Sequence, residues 1–300
     1  MKELETMTKT ILYSLFALGV VLAPARANAQ VTQPPAPAAT PAPAETPAPT
    51  IAIVGEEYRA ELRVGAWVTM PSTVMYSDTE TRTSGTTTTT VTGTNIDFKN
   101  DLGLKNQVFP EVHLTLKLAP KHKLLGEYIP IYYKQVTTIA ADFNFNGQTY
   151  LKGQTVESTL RWNEWKFGYE FDVLSFERGY LGGIGAVSAM NVSGATANTA
   201  QSGTASVSIL MPGLGAIGRY YASGKVSVTG EFLVFYLPGG DTSTHAHSVD
   251  IDGYLLYNFH KHAGVQLGYR SFDAAHVFGS PRNTGTFTIR GPYVGGTARF

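Results

Sequence analysis

Apolar and polar residues alternate along most of the chain after residue 50, and this period-two pattern is typical of half-buried β-strands. Between residues 61 and 68 the even positions are apolar, while Glu61 and Arg63 stand at odd ones; residues 111–118 repeat this parity. Ten segments of this kind follow one another, near residues 58–70, 107–118, 123–137, 154–172, 178–192, 205–221, 225–238, 248–260, 263–277 and 285–300. The pattern predicts an all-β fold of about ten strands.

The connections between these segments alternate between short and long. Short ones lie near residues 120–122, 175–177, 222–224 and 261–262, whereas the others are longer and mostly rich in Thr, Ser, Gly and Asn. This asymmetry is typical of an antiparallel up-and-down β-barrel with tight turns at one end and long loops at the other. Closure of the sheet would leave no unpaired strand edge.

The last segment, residues 286–300, is long enough to cross a membrane as a tilted strand, for which about 9–11 residues suffice. Every second position is apolar or small, and the sequence stops on an aromatic: Val294, Gly296, Ala298 and Phe300. In this respect the chain resembles bacterial outer-membrane β-barrel proteins, whose closing strand ends on Phe and carries apolar residues at alternate positions. The resemblance implies a transmembrane barrel in the cell outer membrane, with its short turns and both termini in the periplasm.

The same resemblance implies two kinds of partner. Outer-membrane lipids would surround the barrel, and the barrel assembly machinery would recognise Val294, Gly296, Ala298 and Phe300 as part of an assembly signal. This parity also turns Arg290 outward. About ten residues of strand separate Arg290 from Phe300, so Arg290 would lie at the opposite interface, where a charge costs only ~0–1 kcal/mol.

Residues 1–29 have the three parts of a secretory signal. Lys2 and Lys9 precede an apolar run over residues 11–23, and the small residues at 27–29 predict cleavage before Gln30. A membrane anchor is the alternative, but the run is shorter than the ~20 residues that a spanning helix needs.

Residues 30–51 are rich in Pro and Ala, which favours an extended polyproline II conformation. We predict an exposed periplasmic spacer, and contact with periplasmic partners or the cell wall is the functional alternative to an unstructured leader. Residues 52–300 then form the outer-membrane β-barrel. We expect this barrel to fold without the spacer, because residues 31–50 offer almost no apolar surface to bury.

The longest predicted connection covers residues 71–106 and contains a Thr run at residues 86–90. Polar threonines suit a hydrated external loop. We predict that its last part, residues 95–104, forms an outer cap; the alternative is that this part folds inward and narrows the barrel.

Composition acts mainly by exclusion. The 300 residues include 31 Gly, 16 Tyr and 15 Phe but no Cys, so thiol nucleophiles, thiolate metal sites, disulfides and a lipid-modified Cys are excluded. The 23 Lys and Arg residues balance the 23 Asp and Glu residues, and this neutrality gives no reason to expect a nucleic-acid partner. We expect no cofactor.

Charged residues recur at the parity opposite the apolar face, which in a barrel is the side that lines the lumen. The lumen-lining candidates are Glu61, Arg63, Glu111, His113, Lys117, Glu164, Lys166, Glu170, Arg219, Glu231, Asp250, Asp252 and Arg270. Side chains already fill the interior of a barrel of about eight strands, so these mixed signs favour a mutually paired network. A narrow polar conduit for a small solute, with a slight preference for cations, is the alternative.

Two segments leave their orientation open, because residues 127–132 are apolar or aromatic on both sides and residues 178–192 are rich in Gly. We therefore assign no lumen residue to either of them.

Two Asp/His groups near the loop ends are candidate catalytic residues, since such a pair polarises water when something orients the His. They are Asp241 with His245 and His247, and Asp273 with His276. Neither group matches a motif of the outer-membrane proteases or of the lipid A-modifying acyl hydrolases, and two loop histidines are weak evidence for a metal site. The sequence predicts a structural barrel or a narrow porin-like channel, with a surface enzyme or an adhesin as alternatives.

Overall fold

The computed structural model describes residues 52–77, 80–84, 87–91, 94–239, 245–278 and 283–300. The predicted secretory signal and the Pro/Ala-rich spacer lie outside these residues. Within the described ranges, no helix is long and apolar enough to cross a membrane.

The described residues form strands of two kinds, long ones that build a wall and short ones at one of its ends. In chain order they are β1 (Ala60–Ser77), β2 (Glu80–Ser84), β3 (Thr87–Val91), β4 (Thr94–Asp97), β5 (Gln107–Ala119), β6 (His122–Thr138), β7 (Phe143–Phe145), β8 (Gln148–Tyr150), β9 (Thr155–Phe176), β10 (Gly179–Ala197), β11 (Ser202–Tyr221), β12 (Val226–Leu237), β13 (His245–His260), β14 (Ala263–Phe278) and β15 (Asn283–Arg299).

Ten long strands form the wall of a closed antiparallel barrel, in the order β1-β5-β6-β9-β10-β11-β12-β13-β14-β15. Strand β15 pairs with β1 and closes the sheet along a seam that runs from Glu61 opposite Arg299 to Tyr76 opposite Thr284. Each wall strand overlaps one of the predicted segments, and several extend beyond it by four or more residues. The prediction of an all-β, ten-stranded, up-and-down barrel is confirmed.

The connections define two ends of the barrel. Short ones at residues 120–121, 177–178, 222–225 and 261–262 lie at what we call the turn end. The first wall strand, β1, begins at the turn end, and the last one, β15, finishes there. The backbone N–H of Arg59, just before β1, donates to the carbonyl of Phe300, just after β15, at 2.7 Å. The longer connections, with the short strands β2, β3, β4, β7 and β8, lie at the loop end.

The strand periodicity separates an outer from an inner face. On β9 the side chains of Trp165, Phe167 and Tyr169 are 44%, 59% and 42% exposed on the outside, whereas Glu164 and Lys166 on the inside are 3% and 4% exposed. An outer face of this composition is suited to lipid, where an outward Lys or Arg near the midplane costs ~2–4 kcal/mol.

The segment predicted as one long loop is largely strand. Strand β1 continues to Ser77, β2 pairs with β3, and β4 pairs with the end of β1, where Val74 lies opposite Asp97. Backbone pairing with β1 therefore holds this part of the connection against the wall.

The prediction that residues 95–104 form an outer cap is wrong. The side chains of Ile96, Phe98, Leu102 and Leu104 are at most 4% exposed and belong to the hydrophobic core inside the barrel. Burial of four large apolar side chains is worth about 1.5–3 kcal/mol each, which outweighs the polar character of the Thr-rich half of this connection.

Gly291 occupies a position in β15 where the closing seam leaves no room for a side chain. A Cβ atom at Gly291 would lie 1.7 Å from the carbonyl oxygen of Val68, and the indole N–H of Trp67 donates to the carbonyl of Gly291 at 3.1 Å. We expect Gly291→Ala to destabilise the barrel by at least the ~1–3 kcal/mol typical of overpacking, because backbone rather than a flexible side chain must move.

Urea unfolding in lipid vesicles measures this effect. Gly296→Ala is the matched control on the same strand, since no atom lies within 4 Å of a Cβ there. The unfolding midpoint of the control should equal that of wild type, and a Gly291→Ala midpoint that also equals wild type would contradict the steric argument.

Candidate functional site

The interior of the barrel changes character along its axis. On β6 the inward residues Lys123 and Glu127 lie toward the turn end, and Ile129, Ile131 and Tyr133 follow toward the loop end. The neighbouring β9 shows the same order, with charged Glu170 and Lys166 toward the turn end and Trp162 and Leu160 toward the loop end. The lumen therefore has a charged half and an apolar half.

All the lumen-lining candidates stand at inward positions of the wall strands. Two of them are half-buried, Lys117 and Glu231. The others are buried: Glu61, Arg63, Glu111, His113, Glu164, Lys166, Glu170, Arg219, Asp250, Asp252 and Arg270.

A cluster of four charged residues, Glu127, Lys166, Asp250 and Arg270, forms the central network of the lumen. Arg270 donates from Nη2 to Glu127 Oε1 at 2.6 Å and from Nε to Asp250 Oδ1 at 2.9 Å. Lys166 Nζ donates to Glu127 Oε1 at 2.9 Å and forms a short ion pair with Asp250. Three wall strands separate β6 from β14, and three separate β9 from β13, so the Arg270–Glu127 and Lys166–Asp250 bonds cross the lumen from wall to wall. The other two bonds join neighbouring strands.

Other polar groups extend the central network. His113 Nδ1 lies 3.2 Å from Glu127 Oε2, and the hydroxyl of Ser188 donates to Glu164 Oε1 at 2.7 Å. The Tyr293 hydroxyl donates to Asp252 Oδ1 at 2.8 Å. The candidates are thus joined mainly to one another and to neighbouring inward residues.

Closer to the turn end, ion pairs involve residues that the sequence analysis did not single out. Lys123 Nζ donates to Glu170 at 2.6 Å and to Asp172 at 3.1 Å, and Arg299 Nε donates to Glu61 at 2.6 Å. Parity identifies Lys123 and Arg299 as inward once the orientation of their strands is known. Glu127 has the same parity as Lys123, but the sequence leaves the orientation of their strand open, because residues 127–132 are apolar or aromatic on both sides.

A polar chamber of about 40 Å³ lies within the charged half of the lumen. Arg63, Arg219, Glu231 and Tyr254 are among its lining residues. This volume accommodates a few water molecules, since one water needs ~10–15 Å³ on the same measure.

The loop end is closed by the mouth cluster, which we define as Phe98 and Phe145 with the wall side chains around them. The two connections that carry these rings bind each other, because the backbone N–H of Asn144 donates to Thr94 Oγ1 at 2.8 Å. Both rings line an apolar cavity of about 30 Å³. Wall residues around it are Met75, Leu160, Val192, Val207, His276 and Phe287.

The Asp273/His276 catalytic hypothesis is wrong, because the two side chains lie on opposite faces of β14. His276 is 1% exposed inside the barrel, and neither of its ring nitrogens has a hydrogen-bond partner among the described residues. Asp273 lies outside and accepts a hydrogen bond from Thr288 at 2.6 Å. A spacing of three residues along a strand places the two side chains on opposite faces.

The other hypothesis pairs His245 and His247 with Asp241, which lies outside the described residues. In the ranges that the structure describes, no group of three or more His, Asp or Glu side chains is arranged to hold a metal ion.

The four residues of the predicted assembly signal stand at outward positions of the closing strand. Val294 and Phe300 are 58% and 73% exposed, Gly296 is also exposed and Ala298 is half-buried. The backbone N–H of Phe300 donates to the carbonyl of Ala60 at 2.9 Å, so the last residue takes part in closing the barrel.

The outer face carries an apolar belt that is about ten residues tall. On β15 the outward residues between Phe300 and Arg290 are apolar or small, and Arg290 then pairs with Asp273 at 3.3 Å. About ten residues of tilted strand match the hydrocarbon thickness of a bilayer. A closed antiparallel barrel with this belt, short turns at one end and longer loops at the other is a transmembrane β-barrel of the outer-membrane type.

Solved structures of outer-membrane proteins are similar to this chain. Outer membrane protease OmpT from Escherichia coli has a TM-score of 0.51 and 9% identity, over 82% of this chain and 98% of that chain. The translocator domain of the autotransporter NalP from Neisseria meningitidis has a TM-score of 0.40 and 14% identity, over 80% and 88%. The P. putida toluene transporter TodX has a TM-score of 0.33 and 7% identity, over 80% and 90%.

No protein-family model and no curated protein matches the chain. At 9% identity the similarity to OmpT shows a shared fold alone. The predicted resemblance to outer-membrane β-barrels is confirmed, and the chain is an integral protein of the cell outer membrane. In barrels of this class the short turns face the periplasm, so the turn end is the periplasmic end and the loop end is external.

Proposed function

We propose that this chain is a closed structural barrel of the outer membrane, whose own side chains fill its lumen and block solute flow. The central network carries the proposal. Two charge-assisted bonds, Arg270 to Glu127 and Lys166 to Asp250, join opposite walls, and bonds of this kind are about twice as strong as neutral hydrogen bonds. A solute on the axis of the barrel would have to break them.

Both ends of the barrel support the same proposal. The mouth cluster buries Phe98 and Phe145, which are 4% and 3% exposed, at the external end. At the periplasmic end, residues 53–58 lie across the opening, and Tyr58 among them is 8% exposed. The polar chamber therefore lies between two barriers, which are residues 53–58 on its periplasmic side and the central network on its other side.

Planar-bilayer recording tests the proposal. Folded protein, verified by heat-modifiable migration in detergent gels, should insert without unitary conductance steps in concentrated KCl. A variant that combines Lys166→Ala, Arg270→Ala, Phe98→Ser and Tyr58→Ala should produce steps, because it removes both bonds that cross the lumen, one ring of the mouth cluster and the ring of the periplasmic seal. Discrete steps from the wild-type protein would overturn the proposal.

A narrow channel for small polar solutes is the second candidate function, and the polar chamber favours it. Such a channel would conduct only when the central network rearranges, and the acidic excess among the lumen residues would favour cations. Wild-type steps with a cation preference would support the channel, whereas silence in wild type and steps in the opened variant would support the structural barrel.

A further inference from the structure

We propose that the periplasmic mouth of the barrel is a binding site for a short acidic and aromatic peptide, and that residues 53–58 are its built-in, removable occupant. We call residues 53–58 the plug segment, and we call the side chains that hold it the cradle. This inference goes beyond the structural function proposed above, since it concerns a recognition site that does not depend on whether the barrel conducts.

The plug segment crosses the opening, because its partners come from widely separated strands. The backbone N–H of Val54 donates to the carbonyl of Gly224 in the β11–β12 turn at 2.7 Å, and Asn258 Nδ2 on β13 donates to the carbonyl of Val54 at 2.8 Å. Lys117 Nζ on β5 donates to the carbonyl of Glu56 at 3.0 Å. Three wall strands separate β5 from β11, and three separate β5 from β13, so the segment spans the mouth.

The cradle recognises one carboxylate and one aromatic ring. Arg219 Nη1 donates to Glu56 Oε1 at 3.2 Å. The ring of Tyr58 lies under two cations, with Lys117 Nζ at 5.3 Å and the guanidinium carbon of Arg299 at 5.7 Å from its centroid. Cation–π contacts at these distances are attractive, and burial raises the pKa of the Tyr58 phenol, which keeps the ring neutral.

The wall itself holds two of the three cations of the cradle, Arg219 and Arg299. Arg219 also donates to Thr229 from Nε and to the Tyr254 hydroxyl from Nη2, both at 3.0 Å. Arg299 donates to Glu61 at 2.6 Å and to Asn258 at 2.7 Å. These bonds hold both cations in place from within the wall, so an occupant finds them already oriented.

The wall is complete without the plug segment. Strand β1 begins at Ala60, and its seam with β15 begins where Glu61 lies opposite Arg299. Most bonds to the plug segment come from side chains, whereas a strand of the wall is held by backbone ladders on both sides. Withdrawal of the plug segment would break the contacts of residues 53–58 and leave the pairing of the ten wall strands intact.

Gly55 shows how closely the plug segment fits its cradle. Its φ of +87° lies in the left-handed region, and a Cβ atom there would lie 2.4 Å from Arg299 Nη1. Only Gly adopts this conformation without strain and leaves space for the guanidinium. The turn of the backbone at Gly55 allows Val54 before it, and Glu56 and Tyr58 after it, to reach their partners in the cradle.

Thiol accessibility tests the proposal, because the chain has no Cys of its own. Ile184→Cys places a reporter on the chamber wall, at a side chain that is 3% exposed. We expect a water-soluble methanethiosulfonate to label it about tenfold faster or more when Glu56→Ala and Tyr58→Ala remove the carboxylate and the ring, which corresponds to ~1.4 kcal/mol of opening free energy. Equal rates would overturn the assignment of the segment as the seal.

A peptide with the sequence of residues 52–59 tests the site itself. Added to the Glu56→Ala/Tyr58→Ala variant, it should restore slow labelling of Ile184→Cys, and the same peptide with both substitutions should not. Fast labelling that the peptide leaves unchanged would overturn the binding site. Ile289→Cys, in the apolar half and 0% exposed, is the control reporter and should stay unlabelled throughout; its labelling in the variant would show general loosening and also count against the proposal.

Discussion

Deletion of Phe300 is expected to lower the fraction of protein folded in the outer membrane by about tenfold or more, beyond what the lost burial of a side chain that is 73% exposed would cause. The physical reason is twofold. Phe300 accepts backbone hydrogen bonds from Arg59 at 2.7 Å and Ala60 at 3.1 Å and donates one to Ala60 at 2.9 Å, so deletion removes the last rungs of the seam. Its ring also ends the outward row that we propose as the assembly signal.

Two point variants separate these reasons. Phe300→Tyr keeps the backbone and an aromatic ring and should assemble like wild type. Phe300→Ala keeps the backbone alone, so a defect similar to the deletion would assign the effect to the ring. Wild-type assembly of both the deletion and Phe300→Ala, measured by heat-modifiable migration of outer-membrane fractions, would refute the signal.

Asp250→Ala is expected to destabilise the barrel by about 3–5 kcal/mol, the range for removing one partner of a buried ion pair. Asp250 is 4% exposed and binds both Lys166 and Arg270. Its loss leaves two cations in the lumen with Glu127 as their remaining close partner. The free energy of unfolding in urea, measured in lipid vesicles, gives the effect.

Two comparisons make this test specific. Lys166→Met combined with Asp250→Leu removes one cation and one anion together and should recover most of the lost stability, because replacing a buried pair by apolar residues is often neutral. Glu157→Gln disrupts the exposed Lys134–Glu157 pair, which is 2.9 Å long, and should leave stability unchanged. A similar loss in Asp250→Ala and Glu157→Gln would contradict the central network.

The sequence predicted the wall of the barrel well, because lipid outside and charge inside both act with a period of two residues. Residues 62–68 on β1 and 164–170 on β9 show both signals at once, and their orientation follows directly. Where only one signal is present, as along residues 127–132, the orientation is not determined. Ile129 and Ile131 face inward there, while Tyr128 stacks outside on Trp165 with ring centroids 4.1 Å apart.

Neither end of the barrel could be predicted from periodicity. Phe98 and Phe145 reach the lumen from a short loop and a short hairpin, and Glu56 and Tyr58 reach it from the plug segment, which is irregular. None of these residues therefore stands in a repeating pattern. Their positions depend on contacts between distant parts of the chain, such as Arg219 with Glu56, which lie 163 positions apart. Such contacts leave no trace in a single sequence.

Most of the wall strands are longer than the apolar belt, and this difference in height decides which solvent surrounds each part of the barrel. Strand β9 has 22 residues, and beyond the belt its outward residues are Arg161, Thr159 and Glu157, while its inward residues are Leu160, Ser158 and Val156. Beyond the belt, toward the loop end, the wall is polar outside and mainly apolar inside, which is the arrangement found in water-soluble proteins. The part of the barrel between the apolar belt and the loop end is therefore stabilised by the hydrophobic effect in water. It should keep its tertiary structure when detergent replaces the bilayer around the belt.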